Sequence, residues 1–235
     1  MELYIIRHAQ STNQVLENQA ERNFDPPLTD LGRRQAEILA RHLATGTQRE
    51  PSANNDHGRC GYGITRLYCS PMWRALQTAQ PVGQTLGLAP EVWIDIHEQG
   101  GIYLDRGEAG GIVGYPGKTR SEILREFPNY ILPEGITEQG WWNQGKEDRA
   151  ACIGRAIRVA QELYKRSESE ERIAIISHAG FIDALLKTFL NQLPGPHLWY
   201  HQYNTAISRI DFSRDGRVQV RYLNRVDHLP PELIS

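Results

Sequence analysis

Side chains that could bind an anion follow three separate apolar runs of this sequence. They are Arg7 with His8, Ser70 with Arg74 four residues later, and Ser177 with His178. A guanidinium group matches the oxygens of a phosphate through paired hydrogen bonds. Small residues follow both histidines, so the backbone could approach a ligand closely. Together these residues predict a pocket for a tetrahedral oxyanion, most simply a phosphoryl group.

The two histidines could also take part in a reaction. An imidazole whose Nδ1–H donates to a backbone carbonyl presents a free Nε2 lone pair, and histidine is a known nucleophile in covalent catalysis. A second histidine could donate to the equatorial oxygens, where charge lies during phosphoryl transfer. The leaving oxygen then needs an acid. Glu98 follows a predicted strand and is the first candidate, with Asp95 and Glu108 as competitors nearby in the sequence.

Alternating strands and helices would bring these side chains together. Strands are predicted at residues 3–6, 64–70, 91–96 and 173–176, with a hairpin at residues 204–223 that turns at Asp215-Gly216. Helices are predicted at residues 28–44 with Thr29 as N-cap, 71–87 with Pro71 in the first turn, 146–167, and after His178. This alternation is typical of a three-layer α/β/α fold with a mostly parallel sheet. Ligands of such sheets bind outside the carboxyl ends of the strands, so the polar residues should meet at one rim.

Two segments break the alternation. Residues 45–63 are polar and glycine-rich, and they are predicted to form a loop. Residues 97–145 are rich in glycine and proline, with one helical signal around residues 119–127. We interpret this second segment as an insertion that acts as a partial lid over the rim of the sheet. The whole chain, residues 1–235, is then a single domain.

Five motifs, in this order, resemble those of the histidine phosphatase superfamily, in its phosphoglycerate mutase-like branch. They read "RHAQST", "PLTDLGRRQA", "CSPMWRALQTA", "HEQGG" and "ISHAG", and they extend over most of the chain. The resemblance implies a phosphoglycerate mutase-like α/β fold. It implies that His8 is the phosphorylated nucleophile and Glu98 the proton donor. It also implies that Arg7, Arg74 and His178 hold the phosphoryl group, without a metal or another cofactor.

The sequence departs from the family pattern at three places. Ala9 replaces the usual glycine after the nucleophilic histidine. The frequent asparagine six residues past that histidine falls on Gln14, which we expect to contact the substrate, and Asn13 lies one residue earlier. The adjacent arginine pair that mutases of the family carry in the insertion is replaced by separated cations. These are Lys118, Arg120 and Arg125.

Composition limits the classes of protein to consider. The net charge of −2 gives no general attraction to nucleic acid or to an anionic membrane, so we expect neither as a partner. Three cysteines without C-x-x-C spacing fit a reducing compartment, and the six remaining histidines show no metal-ligand spacing. No apolar run is long enough to span a membrane, and no signal peptide is recognisable. We therefore expect a cytoplasmic protein; the sequence carries no signal for its oligomeric state.

Three functions fit these observations. The first is hydrolysis of a small phosphomonoester through a phosphohistidine intermediate. The second is a cofactor-primed phosphoglycerate mutase, in which the phosphohistidine returns its group to a substrate. The third is a non-catalytic domain that binds a phosphorylated ligand. Trp141 and Trp142 could line a substrate pocket, but we expect them to pack the insertion.

Overall fold

The fold is built on one six-stranded sheet. The computed structural model describes residues 1–46, 60–195 and 197–235. The sheet has the order β3-β2-β6-β1-β7-β8. Its strands are β1 (Glu2–Arg7), β2 (Arg66–Cys69), β3 (Glu91–Val92), β6 (Arg172–Ser177), β7 (Ile207–Phe212) and β8 (Val218–Arg225). The first four are mutually parallel, whereas β7 and β8 are antiparallel and form the predicted hairpin.

Helices cover both faces of this sheet. They are α1 (Asp30–Thr45), α2 (Trp73–Leu86), α5 (Arg149–Tyr164) and α6 (Ala179–Phe189). Tyr4 and Ile6 of β1 point into the core formed with α1 and α2, whereas Leu3 and Ile5 pack against α5 and α6. This alternation follows from the two-residue period of a strand that is buried on both sides. The prediction of a three-layer α/β fold with a mostly parallel sheet is confirmed. The described residues contain no helix long and apolar enough to cross a membrane.

Two of the element boundaries that differ from the prediction are explained by side-chain hydrogen bonds, and α5 is also shorter than predicted at both ends. The helix predicted from Pro71 begins at Trp73, because the Ser70 hydroxyl accepts the N–H of Met72 and holds these residues in a turn. The strand predicted to Ile96 ends at Val92, and a short 3₁₀ helix, Ile94–Ile96, follows. The Ile96 carbonyl accepts the Ser177 hydroxyl there instead of a ladder hydrogen bond. Thr29 caps α1 as predicted, through the N–H of Gly32.

The segment 97–145 has more regular structure than its sequence indicates. It contains β4 (Tyr103–Asp105), α3 (Gly107–Gly110), β5 (Ile112–Gly114) and α4 (Arg120–Glu126). Its apolar side chains, including Ile123 and Phe127, join the core that α1 and α2 share. Trp141 and Trp142 are buried in that core, with their rings against His97. The loop predicted at residues 45–63 lies mostly outside the described residues, as does His57.

Candidate active site

A cavity of about 580 Å³ lies beyond the carboxyl end of β1. Arg7, His8, Arg74, Glu98 and Gln14 all line it, although they come from four separate stretches of the chain. Arg7 ends β1, His8 follows directly, and Arg74 lies in the first turn of α2. The parallel topology therefore brings these predicted residues to one rim, while the sixth, His178, is fully buried with its ring against that of His8.

The His8 ring is fixed in one orientation. Its Nδ1 lies 2.7 Å from the carbonyl oxygen of Ala9, which can only accept, so Nδ1 carries the proton. The Nε2 lone pair then accepts a hydrogen bond from Nε of Arg74, at 3.1 Å. Burial lowers the pKa of His8 well below 6.5, and the charges of Arg74 and Arg7 act in the same direction. His8 is therefore a neutral imidazole at pH 7, with its Nε2 lone pair directed at Arg74, another residue of the cavity lining.

The two arginines are held by different partners. Arg7 donates to the carbonyl of Gln202, and its Nε is buried with no hydrogen-bond partner among the described residues. Arg74 places Nη1 3.9 Å from the Asp25 carboxylate. Burial lowers the pKa of both guanidinium groups from the ordinary arginine value, while Glu98 raises the pKa of Arg7, and Asp25 and then Glu98 raise the pKa of Arg74. Both remain charged at neutral pH, which concentrates positive charge around His8.

His178 lies beside His8 below the cavity. The centres of the two rings are 5.0 Å apart, and Nε2 of His178 lies 2.7 Å from the Ser70 hydroxyl. That hydroxyl accepts the N–H of Met72, and Nε2 is the one acceptor for its own proton among the described residues, so the hydroxyl donates to Nε2 and we assign the ring proton to Nδ1. Nδ1 is buried and has no partner in the part of the chain that the structure describes. His178 thus offers a spare donor next to His8.

Glu98 is held at the first turn of α6. Its carboxylate accepts the N–H groups of Gln99 at 2.8 Å, Phe181 at 3.0 Å and Gly180 at 3.3 Å. A Cβ atom on Gly180 would lie 2.6 Å from Oε1 of Glu98, so only glycine allows this approach. These contacts fix the carboxylate at the edge of the cavity that holds His8.

A buried ion pair supports the chain just before Glu98. Arg155 binds Glu147 through two hydrogen bonds, at 2.9 and 2.6 Å. The same guanidinium donates to the carbonyls of Asp95 and His97, at 2.7 and 2.8 Å. The backbone on the N-terminal side of Glu98 is therefore bound by a side chain of α5. The competing candidates Asp95 and Glu108 do not line the cavity, whereas Asp105 does.

Comparisons with known proteins identify the family of this chain. The sequence model of the histidine phosphatase superfamily (branch 1) matches residues 3–54 and 59–225. The chain belongs to this superfamily. The resemblance seen in the five motifs is thus confirmed, and its match extends through β7 and β8, where no motif had been recognised.

The relatives and the proteins of similar structure are named for several different activities. The chain is 21% identical over 212 residues to a probable phosphoglycerate mutase of Yersinia enterocolitica, covering 90% of this chain and 85% of the relative. A phosphoserine phosphatase of Entamoeba histolytica, solved with phosphoserine, has 20% identity and a TM-score of 0.61 over 97% of this chain and 99% of that one. A mycobacterial glucosyl-3-phosphoglycerate phosphatase solved with VO3 has 20% identity and a TM-score of 0.60, over 96% and 99% of the two chains.

Gln14 lines the cavity, but both ends of its amide are used within the protein. Its Oε1 accepts the N–H of Ser11 at 2.9 Å, and its Nε2 donates to Asn204 at 3.0 Å. Asn204 in turn donates to the His8 carbonyl at 2.8 Å. Gln14 therefore supports the backbone of the His8 loop through Asn204. Asn13 exchanges two hydrogen bonds with Asn23 in the same way, across the wall of the cavity.

Asp25 and Asn204 are site residues that the sequence analysis missed. Asp25 accepts the N–H of Trp73 at 2.9 Å and approaches Arg74, while burial raises its pKa to about 6. Asp25 lies next to the "PLTDLG" motif, which offered a signal, since a carboxylate before two prolines has no obvious local partner. Asn204 lies 196 residues from His8, and nothing in its neighbourhood indicates that contact.

Proposed function

We propose that this protein hydrolyses phosphomonoesters of small metabolites through a phosphohistidine at His8. One observation carries the proposal. Two buried N–H donors beside the neutral His8 ring, Nε of Arg7 and Nδ1 of His178, have no partner among the described residues. Buried polar groups are nearly always hydrogen-bonded, so orphaned donors on the residue before His8 and on the ring that packs against it indicate a ligand that accepts. A phosphoryl group has the oxygens and the charge to fill that role.

The reaction would take place in two steps. First, Nε2 of His8 attacks phosphorus, and the bond between phosphorus and the ester oxygen breaks as Glu98 delivers a proton to the leaving alkoxide. Second, water attacks the phosphohistidine, Glu98 takes a proton from that water, and phosphate leaves as His8 is restored. The hydrogen bond from Arg74 to Nε2 must move from the ring to a phosphoryl oxygen as the new bond forms.

Arg7, Arg74 and His178 would stabilise the charge that spreads over the equatorial oxygens. Arg74 changes partner during the reaction, whereas Asp25 remains next to its Nη1 throughout. Two proteins of similar structure support a phosphorylated metabolite as substrate, because one is named a phosphoserine phosphatase and the other a glucosyl-3-phosphoglycerate phosphatase. We expect activity to persist in EDTA, since these side chains supply the nucleophile, the cations and the acid. Loss of activity that zinc or magnesium restores would contradict this mechanism.

A phosphoglycerate mutase is the second candidate, because curated relatives carry that name. The cations of the insertion, Lys118, Arg120 and Arg125, do not line the cavity, which argues against a copy of the mutase subsite there. A mutase would keep its phosphohistidine long enough to pass the group to a second phosphoglycerate. Transfer of labelled phosphate between phosphoglycerates, faster than its release to water, would favour the mutase.

Glu98→Gln tests the hydrolase with two kinds of ester. A nitrophenolate leaves well without a proton, whereas an alkoxide does not. We expect Glu98→Gln to slow hydrolysis of an alkyl phosphate by roughly 100-fold or more, with a smaller loss on para-nitrophenyl phosphate. With the activated ester, phosphohistidine should accumulate, because water activation is also impaired.

Asp105→Asn is the matched control, since Asp105 is the other carboxylate lining the cavity. A selective alkyl-phosphate defect in Asp105→Asn, and not in Glu98→Gln, would move the acid to Asp105. No phosphate release from para-nitrophenyl phosphate by the unaltered protein would leave the non-catalytic binding domain as the better interpretation.

A further inference from the structure

The cavity extends from His8 to a second group of cations. Arg106 and Lys146 line the part of the cavity formed by the segment after Glu98. Neither side chain forms an ion pair with an acidic group in the described parts of the chain. Arg7 and Arg74 already offer two positive charges to the two negative charges of a phosphoryl group. The charges of Arg106 and Lys146 are therefore available to another anionic group.

The backbone of Lys146 is fixed although its side chain is exposed. The next residue, Glu147, is buried and bound to Arg155, and its N–H donates to the carbonyl of Gly100 at 3.0 Å. Gly100 lies two residues after Glu98. The ammonium group of Lys146 is placed over the ring of Tyr103, 5.0 Å from its centre. Lys146 thus projects from a rigid point close to the proposed acid.

Arg106 is held by a hydrogen bond to Tyr115, further along the same segment. Its Nη2 donates to the hydroxyl of Tyr115 at 2.8 Å, which leaves Nε and Nη1 for another acceptor. The Tyr115 ring stacks on Phe24 with their centres 4.3 Å apart. The segment that carries Arg106 therefore packs against the residue just before Asp25. Asp105, the adjacent carboxylate, accepts the N–H of Gly107 at 3.0 Å. Arg106 is therefore positioned in the free protein.

The three separated cations that the sequence analysis named in place of the family's arginine pair do not line the cavity. Lys118 bonds to Glu122 at 3.1 Å, and Arg120 donates to the carbonyls of Pro133 and Ile136. Arg125 is exposed in the last turn of α4. Arg106 of the segment and Lys146, the residue just after it, line the cavity instead.

We propose that Arg106 and Lys146 bind a second anionic group, a carboxylate or a second phosphate, on the alcohol part of the substrate. The proposal rests on the proposed function, because it assumes that the phosphoryl group lies at His8. Both line the cavity together with Glu98, and Lys146 adjoins the chain that follows Glu98, so we place that second charge on the leaving-group side of the reacting phosphorus. The substrate class is then a phosphomonoester of a small acid rather than of a neutral alcohol.

Matched pairs of esters test this specificity. The first pair is 3-phosphoglycerate and glycerol 3-phosphate, and the second is fructose 1,6-bisphosphate and fructose 6-phosphate. We expect the unaltered protein to prefer the doubly anionic member of one pair by at least about tenfold in kcat/KM, the size of one charge-assisted hydrogen bond. The pair that shows the preference identifies the group as carboxylate or phosphate. Arg106→Gln and Lys146→Gln should each reduce that ratio by about tenfold, mainly through KM.

Arg125→Gln is the control, since it removes a cation of the same segment outside the cavity and should leave the ratio unchanged. Ratios near one for both pairs, or ratios that Arg106→Gln and Lys146→Gln do not change, would overturn the proposal.

Calorimetric binding of the same four esters to His8→Ala tests the subsite without catalysis. Preferential binding that depends on Lys146, in a protein that releases no phosphate from any ester, would support the subsite and overturn the hydrolase. Release of phosphate from para-nitrophenyl phosphate with equal binding of both members of each pair would do the reverse.

Discussion

His8 and His178 follow two neighbouring parallel strands, and their positions in the sheet are nearly equivalent. Arg7 and Ser177, the residues just before them, face each other in the register of β1 and β6. Both histidines are followed by alanine, and burial lowers the pKa of both rings well below 6.5. Their Nε2 atoms differ, because His8 accepts from Arg74 at the cavity while His178 meets Ser70 in the interior.

The comparison separates two contributions: the position of each ring depends on its strand, and the role of its Nε2 depends on the neighbouring side chain. The sheet places each ring at the same rim, whereas the partner of Nε2 determines whether that nitrogen can attack or only serve as an anchor. In the proposed reaction, Arg74 moves its hydrogen bond to a phosphoryl oxygen, which frees the lone pair of His8. A serine buried beneath the cavity floor keeps Nε2 of His178 occupied and leaves Nδ1 as the donor.

His8→Ala should produce the largest effect, because the covalent route needs Nε2. We expect turnover of every phosphomonoester to fall by roughly 10⁴-fold or more. Trapping with a labelled ester, followed by an acid-lability assay, should label the unaltered protein and not the variant. If His8→Ala keeps a rate near that of the unaltered protein, the nucleophile is elsewhere.

Arg74→Lys separates charge from geometry at the partner of His8. Lysine keeps the positive charge but lacks both the fork and the Nε donor, so we expect kcat/KM to fall by roughly 100-fold, within the range for loss of one preorganised donor. Arg74→Ala should lose more. Steady-state kinetics with para-nitrophenyl phosphate measure both variants, and unchanged kcat/KM in Arg74→Lys would remove Arg74 from the phosphoryl site.

His178→Gln should have a smaller effect than His8→Ala and a different signature. Glutamine retains an N–H donor near the phosphoryl site, but without the rigid ring, so we expect kcat to fall by about 10- to 100-fold. Labelled phosphohistidine should still form. Complete loss of labelling, with the fold intact by circular dichroism, would make His178 rather than His8 the acceptor.

Ser70→Ala tests whether the anchor of His178 controls its proton. Removing the hydroxyl takes away the donor to Nε2, so the ring can change tautomer and present a lone pair at Nδ1. We expect about a tenfold loss in kcat with little change in KM. Thr78→Ser, which retains the hydroxyl that contacts Ala9, is a control with a similar small change near the site. An effect of Ser70→Ala on thermal stability alone would restrict Ser70 to packing.

The shared neutrality of the buried rings predicts that stability depends on pH. Burial lowers the pKa of His97 and of His228 to about 3, while the unfolded rings titrate near 6.5. The unfolded chain therefore binds protons first as pH falls, so stability present above pH 6.5 is lost below it. Each of these two histidines should remove about 2 kcal/mol from the free energy of unfolding between pH 7 and pH 5.

Asp25 acts in the opposite direction over part of this range. Its pKa is raised to about 6, so the folded protein gains a proton there before the unfolded chain does, and this offsets part of the loss. Urea unfolding at pH 7 and pH 5 measures the sum. His228→Gln should reduce the difference between the two pH values by about 2 kcal/mol. Equal free energies of unfolding at both pH values would contradict the prediction.

The sequence predicted the parts of this molecule that depend on local pattern. Arg7 and His8 stand out because a buried strand ends abruptly in polar residues, and the parallel topology that places Arg74 beside them follows from the alternation of elements. The strand predicted to Ile96 was wrong, because side chains from distant elements bind the carbonyls there. Asn204 could not be predicted, since its contact with His8 joins residues 196 positions apart in the sequence.

The buried ion pair of Arg155 and Glu147 fixes the backbone near the cavity and leaves nearby side chains free to vary. It anchors the backbone on both sides of the leaving-group region, at the residues before Glu98 and at the residue after Lys146. Side chains at positions 103, 106 and 146 project from that frame without contributing to it. If the proposed subsite is right, exchange of these three side chains would change the substrate while the proposed acid, Glu98, keeps its position, which makes them the first positions to randomise in a library for altered specificity.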